Sequence, residues 1–283
     1  MLSETKYNPE RPTKFIVLDP HGADFSSFLT LHPEILEHEE VQRDMGLFKK
    51  YLSIERDLGA TDLAHSLAQK ISSASGNGVE VLSIEYPRGL LDGGRDENFA
   101  VRCALPASLL EKYSSSWAKL HLETIKRIEN KISASAQDCL VIDVHTMSKY
   151  DYLRVVDGRP ISERVSWESL GDYVKAFTDA RERLRPFNIL CRDEFGEYTS
   201  CPKIVERLKE QLAAEAVSFE EDVPYRIMKR YRSHTYLNIR RGIAIDLPKT
   251  FISKEQPTYR LEHLEVDEEK IHYWGQLLAN AFL

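Results

Sequence analysis

Short apolar runs alternate with longer stretches of helical periodicity along most of the chain. Lys14 to Leu18 (KFIVL) is a β-branched run that stops at Asp19-Pro20-His21-Gly22, a strand followed by a turn. From Thr61, the apolar positions Leu63, Ala64, Leu67, Ala68 and Ile71 recur at helical spacing until Gly76-Asn77-Gly78 ends the run. Val79 to Ile84 reads as the next strand. After Pro106, the positions Leu109, Leu110, Tyr113, Trp117, Leu120, Ile125, Ile128 and Ile132 predict a long amphipathic helix with proline in its first turn. Cys139 to Val144 is apolar apart from Asp143, the pattern of a central strand covered on both faces. Trp167, Leu170, Tyr173, Val174, Phe177 and Leu184 predict another helix, Phe187 to Cys191 a strand, and Pro202 opens a helix through Ile204, Val205, Leu208 and Leu212. Gly242 to Leu247 (GIAIDL) is the last strand, and Ile271, Trp274, Leu277 and Leu278 mark a C-terminal helix. The segment between Tyr225 and Arg241 reads as β- and loop-rich. Strand and helix otherwise alternate, which predicts an α/β fold: a three-layer sandwich around a central mixed β-sheet. No repeat, linker or pool of Gly and Pro marks a boundary, so residues 1–283 are expected to form a single α/β domain.

Composition narrows the function classes. The chain has 283 residues, with 38 Lys+Arg against 45 Asp+Glu and a formal net charge of −7, so it lacks the basic footprint of a nucleic-acid binder. Its longest apolar runs, such as Cys139-Leu140-Val141-Ile142, are strand-sized, well short of the ~18–20 residues of a membrane helix. Met1 to Lys14 is polar and lacks the apolar core of a signal peptide. Cys103, Cys139, Cys191 and Cys201 form no CxxC pair and read as reduced thiols of a cytoplasmic protein.

The chemistry concentrates at two strand ends with the same signature. Asp19-Pro20-His21 and Asp143-Val144-His145 each sit where a buried apolar strand runs out. Residues two apart in a strand share a face, so each Asp is expected to accompany its His. Ligand sites in open α/β folds collect beyond the carboxyl ends of strands. Two imidazoles there, each with a carboxylate partner, suit a metal whose histidine ligands are oriented by those carboxylates. A catalytic zinc site takes a third protein ligand and keeps a position open. Asp24, Asp57 and Asp62 are the candidates, and spacing does not choose among them.

Three further features carry possible chemistry. Tyr86-Pro87-Arg88-Gly89-Leu90-Leu91-Asp92-Gly93-Gly94-Arg95 follows a strand, and Arg88 and Arg95 offer bidentate donors to a substrate carboxylate, or the surface salt bridges of a solvated loop. Asp246 is the one charged residue inside its apolar strand, so it must be paired, hydrogen-bonded or protonated. It suits a general base beside a metal, or a salt bridge to Arg240 or Arg241. The cluster Lys229-Arg230-Tyr231-Arg232-Ser233-His234-Thr235-Tyr236 is too short for a nucleic-acid signal in an acidic chain; it suits a loop bordering an anionic-substrate pocket, with His234 as a contact. His65 reads as solvated and His121 as semi-buried and structural.

In these residues the chain resembles the N-formylglutamate amidohydrolase family, whose fold is related to the zinc carboxypeptidases and aspartoacylases. The resemblance lies in Pro20-His21-Gly22, Asp57-Leu58-Gly59, Pro87-Arg88-Gly89-Leu90-Leu91-Asp92-Gly93-Gly94-Arg95, Asp143-Val144-His145-Thr146-Met147, Tyr198-Thr199-Ser200-Cys201 and Ile245-Asp246-Leu247, in the family's order from about Phe15 to Phe251. It implies a zinc-carboxypeptidase-like fold with one zinc held by His21, Asp57 and His145, and so selects Asp57 over Asp24. It implies that Arg88 and Arg95 hold the substrate carboxylate, and that Asp246 stands where the family has its general-base Glu. Asp19 and Asp143 would be the partners of the metal-binding imidazoles. The implied reaction is hydrolysis of the amide of a small-molecule N-acyl amino acid, with N-formyl-L-glutamate as the model substrate and Arg88 aiding the oxyanion. Three departures bear on the substrate: Gly94 replaces the Asn of an Asn-Arg pair, Asp246 is one methylene shorter than Glu, and Pro248-Lys249 replaces a second Asn-Arg. They leave open carboxypeptidase-like cleavage of peptide or polyglutamate ends, or a non-catalytic binding protein on the same fold.

Overall fold

The computed structural model describes residues 1–151, 155–156, 159–160, 165–179, 183–256, 260 and 263–283. Its framework is a seven-stranded sheet of β1 (Leu2–Tyr7), β2 (Thr13–Asp19), β3 (Gly78–Ile84), β4 (Leu140–Met147), β5 (Phe187–Leu190), β6 (Phe219–Glu221) and β7 (Gly242–Pro248), in the spatial order β1-β3-β2-β4-β7-β5-β6. The four central strands β3, β2, β4 and β7 run parallel. Edge strand β1 is antiparallel to β3, and β5 is antiparallel to β7 with β6 parallel beside it, so the sheet is mixed. Two ribbons of two residues per strand, Tyr150–Asp151 with Arg183–Leu184 and Val155–Val156 with Arg159–Pro160, lie outside it.

The described helices are α1 (Phe25–Thr30), α2 (Pro33–Glu37), α3 (Glu39–Arg43), α4 (Met45–Glu55), α5 (Ala60–Ser75), α6 (Glu97–Ala100), α7 (Ala107–Ala134), α8 (Leu170–Asp179), α9 (Pro202–Ala214), α10 (Arg232–Ile239) and α11 (Glu268–Phe282). Alternation along the strands divides the apolar residues between two cores. Val17, Val79, Val81, Leu140, Ile142, Val144, Ile243, Ile245 and Leu247 pack with α5, α9 and α11. Ile16, Leu18, Leu82, Ile84, Val141 and Ala244 pack with α1–α4, α7, α8 and α10. Helices on both faces of one sheet make the expected three layers. Ile245 is fully buried in the middle of the first core, so Ile245→Ala should cost about 2–5 kcal/mol in chemical denaturation, through lost burial and an unfilled cavity.

The connections place the site. From β2 the chain crosses one face through α5 to β3, then crosses the other face through α7 to reach β4 on the far side of β2. Strand order reverses between β2 and β4, and such a reversal opens a crevice beyond the carboxyl ends of the two strands. His21 follows β2 and His145 lies near the end of β4, so both border that crevice.

Two sequence expectations change. The segment between Tyr225 and Arg241, expected to be β- and loop-rich, contains α10. Its Ser233, Tyr236 and Leu237 turn inward at helical spacing, but only two of the three are apolar and the run Lys229-Arg230-Tyr231-Arg232 leads into them, so no apolar stripe shows in the sequence. The helix predicted through Leu184 ends at Asp179 among the described residues, and Leu184 belongs to a ribbon. No described helix is long and apolar enough to cross a membrane, and all four cysteines are unpaired thiols.

Candidate metal centre

Three side chains from separate elements converge in the crevice. His21 comes from the turn after β2, Asp57 from the turn between α4 and α5, and His145 from β4. His145 Nδ1 lies 3.2 Å from His21 Nδ1 and 3.3 Å from Asp57 Oδ2, and His21 Nδ1 is 3.3 Å from the same oxygen. Ligand atoms ~2.0–2.1 Å from a tetrahedral ion stand ~3.3 Å from one another, so this triangle has the dimensions of a zinc-type site. Asp57 is fixed by its own backbone, whose N–H donates to the His21 carbonyl at 3.1 Å, and by the Thr146 N–H, which donates to Oδ2 at 3.3 Å.

Both imidazoles present Nδ1 because carboxylates hold their other nitrogens. His21 Nε2 is 2.8 Å from Asp92 Oδ1, and His145 Nε2 is 3.2 Å from Asp143 Oδ2. A carboxylate acceptor favours the proton on Nε2, which leaves the Nδ1 lone pair facing the shared centre; the Gly94 N–H also points at the His21 pair, 3.0 Å from Nε2 and 3.1 Å from Asp92 Oδ1. Asp143 is steadied by the Ser233 hydroxyl of α10 at 2.5 Å.

Here the expectation for Asp19 is corrected. β2 stops at Asp19, so strand alternation does not carry through Pro20 to His21. Asp19 points to the α5 side, accepting from Thr61 Oγ1 at 2.5 Å and from the Gly22 N–H at 2.8 Å. The partner of His21 is Asp92 from the loop after β3. That loop must come close: a Cβ on Gly94 would stand 2.7 Å from the His21 ring, so no side chain fits there.

The electrostatics follow from burial. Burial pushes Asp57 upward, but the Arg88 cation and the hydrogen bonds from His145 and His21 outweigh it and hold the carboxyl well below its usual range. Burial lowers His145, but Asp143 and then Asp57 more than reverse that and hold it well above an ordinary histidine. A divalent cation in the triangle would compete with the proton that this environment favours on His145.

Asp246 lies across the β4–β7 ladder from His145, as its register partner. It is buried, and its Oδ1 has no hydrogen-bond partner. Burial, then the charge of Asp57, raises it to about 6. The salt-bridge alternative is not formed: Arg240 donates to the carbonyls of Ser133 and Ser135, and Arg241 to that of Asp138.

The other sequence candidates fall as follows. Arg88 donates to Asp57 Oδ1 at 3.1 Å, and its Nε stands 3.7 Å from both Glu55 and Asp92. Arg95 donates through Nε to Asp92 Oδ2 at 3.3 Å, and its guanidinium lies over the Tyr231 ring at 4.4 Å. Each arginine thus already serves a buried carboxylate, and Arg88 is the more exposed, at 28% against 11% for its side chain. His234 sits in the first turn of α10 with its ring 3.1 Å from the Asn238 amide. Asp24 caps α1 by accepting from the Ser26 N–H, and Asp62 is exposed in the first turn of α5; neither joins the triangle. His65 is not simply solvated, since its Nδ1 meets the Tyr7 hydroxyl at 2.9 Å. His121 is fully buried between the Tyr86 hydroxyl and the Arg95 carbonyl, both at 3.0 Å.

Sequence reasoning missed Asp92 as a histidine partner, although it lay inside a quoted motif. It also missed the buried ring of charge behind the triangle: Glu55, hydrogen-bonded by Tyr173, with Arg102 3.5 Å away. Glu55 lies on a helix that the apolar pattern did not reveal.

No protein-family model matches the chain, and no curated protein matches it. Solved structures do. An N-formylglutamate amidohydrolase from Ralstonia eutropha JMP134 superposes with a TM-score of 0.53 at 13% identity, covering 98% of this chain and 96% of that one. A gene product of Agrobacterium tumefaciens superposes with a TM-score of 0.52 at 11% identity, covering 99% of this chain and 94% of that one. At these identities the likeness is one of fold, and it extends over nearly the whole length of all three chains.

Proposed function

We propose that the chain is a metal-dependent hydrolase of the zinc-carboxypeptidase-like fold, cleaving the amide bond of an N-acyl amino acid, with N-formyl-L-glutamate as the first substrate to test. The observation that carries this reading is the joint one: three ligating atoms at tetrahedral spacing, beside a buried carboxylate with an unpartnered oxygen. The match in fold to an N-formylglutamate amidohydrolase over nearly the full chain supports it.

In this mechanism His21, Asp57 and His145 would hold one divalent ion, and a donor set of two imidazoles and a carboxylate suits zinc. When bound, the ion supplies Lewis acidity, polarising the acyl carbonyl and acidifying water. Asp92 and Asp143 keep both imidazoles in the ligating tautomer. Asp246 takes a proton from the attacking water and returns it to the departing nitrogen, giving a carboxylic acid and a free amine. Its raised pKa places it near the operating range of a general base, although a cation at the triangle would pull that value down. Arg88 holds Asp57 in place and is the cation that stabilises the oxyanion. In this reading Arg95 is the anchor for the substrate carboxylate and His234 a further substrate contact.

The test is zinc loading followed by a panel of N-formylglutamate, other N-acyl amino acids and a γ-glutamyl peptide. Hydrolysis that a chelator abolishes and zinc restores is expected, and the ranking of substrates separates deformylase-like from carboxypeptidase-like chemistry. Full turnover in rigorously metal-free protein would reject the reading. Asp92→Asn should weaken zinc binding about 10–100-fold, the usual effect of removing a ligand's hydrogen-bond partner, measured by competition with a chelating dye.

A further inference from the structure

Lys249 is the residue whose placement the mechanism leaves unexplained. It follows β7 directly, opening the short 3-10 turn Lys249–Phe251, and it is 2% exposed. Burying an ammonium is costly, and an apolar side chain would fill the same volume without that cost. Its Nζ donates at 3.0 Å to the carbonyl of Ile54, in the last turn of α4. A helix leaves its last four carbonyls without intrahelical donors, and a cation there also complements the helix dipole. A cap of this kind is ordinarily made at the surface, where the ammonium stays hydrated. Here burial draws the ammonium down to about 8, while Asp57, Glu55 and Asp246 act against that fall. The lysine therefore lies in the same charged interior as the metal-ligating carboxylate and the unpartnered one.

The connectivity says what the contact does. Lys249 stands three residues beyond Asp246, and Ile54 stands three residues before Asp57. One hydrogen bond thus ties the strand end that carries Asp246 to the helix end that leads into Asp57. We propose that Lys249 is a positioning residue, a buried strap that sets the distance between Asp246 and the Asp57 side of the metal triangle. The inference rests on the metal-hydrolase reading and deepens it. Asp is one methylene shorter than Glu, so a base at position 246 has less side-chain reach with which to absorb a shift of its strand. Fixing the backbone spacing matters more for such an acid, because a misplacement of about 1 Å costs on the order of 100-fold in rate.

The experiment compares wild type with Lys249→Met, which keeps the length and volume of the arm but removes its donor and charge. Hydrogen–deuterium exchange of residues 54–58 in metal-free protein reads the strap without any catalysis. Zinc affinity and the separate kcat and KM values then read its consequence. The expected result is faster exchange in that segment, zinc bound about 10-fold more weakly, and kcat lowered about 10–100-fold with KM within twofold. Should Lys249→Met fail to fold, Lys249→Gln, too short to reach the Ile54 carbonyl, is held to the same expectations. A folded variant with wild-type exchange, zinc affinity and kcat overturns the strap and leaves the hydrolase reading standing. Wild-type protein that neither binds zinc nor hydrolyses any of the panel overturns the hydrolase reading, and the positioning role with it.

Discussion

His145→Ala is expected to lose zinc by more than about 100-fold in affinity and to fall to background amide hydrolysis. Removing the hydrogen-bond partner of a metal-binding histidine alone costs about 10–100-fold, and this change removes the ligand itself. Because Asp143 and Asp57 hold His145 protonated well above the ordinary range, a metal must displace that proton. Zinc binding should therefore release protons and weaken as pH falls, which isothermal titration in buffers of different ionisation enthalpy measures. The stability effect runs the other way. A histidine whose folded pKa lies above its unfolded value stabilises the fold fully below about pH 6.5 and loses that contribution as pH rises through the folded value. Metal-free His145→Ala should thus be destabilised most at mildly acid pH, with the deficit shrinking in alkaline solution. A wild-type zinc affinity in this variant would remove His145 from the site.

Asp246→Asn should lower kcat by about 100- to 10,000-fold while leaving zinc affinity within a few-fold, since it removes a proton acceptor and no ligand. The same change should stabilise the metal-free protein at neutral pH. The folded carboxyl is raised to about 6 from an ordinary 3.8, so the folded state keeps a proton the unfolded chain has lost. Stability of the wild type therefore falls as pH rises from about 4 through 6 and stays lower above that. A shift of about two units corresponds to an effect on the order of 3 kcal/mol. Denaturant midpoints for wild type and Asp246→Asn should separate above pH 6 and converge below pH 4. A variant that gains stability and loses turnover marks a carboxylate kept for chemistry at the expense of the fold. Unchanged turnover would exclude Asp246 as the base.

Much of this architecture is visible in the pattern of apolar residues. The strands that build the centre of the sheet are β-branched runs buried on both sides, and α5, α7, α9 and α11 carry long apolar stripes. Helices α1, α2 and α3 escaped because each is only five or six residues long, shorter than two turns, and so has no period to detect. α10 escaped because its inward positions are Ser233, Tyr236 and Leu237, only two of them apolar, with the polar His234 and Thr235 between them.

The site was legible where chemistry repeats locally. Two Asp-x-His strand ends pointed to His21 and His145, but the choice of Asp57 over Asp24 came from family likeness and from the fold. Local spacing failed at Asp19, where the chain leaves the strand before reaching His21. It failed again at Asp92 and Lys249, whose partners His21 and Ile54 are 71 and 195 residues away. Such pairings are set by strand order, which no local pattern records.

The most direct test of the central claim is anomalous X-ray scattering at the zinc edge from crystals of the zinc-loaded protein. A single strong peak per chain is expected about 2.0–2.1 Å from His21 Nδ1, His145 Nδ1 and an oxygen of Asp57. A peak at other residues, or none in protein that still hydrolyses N-acyl amino acids, would contradict it.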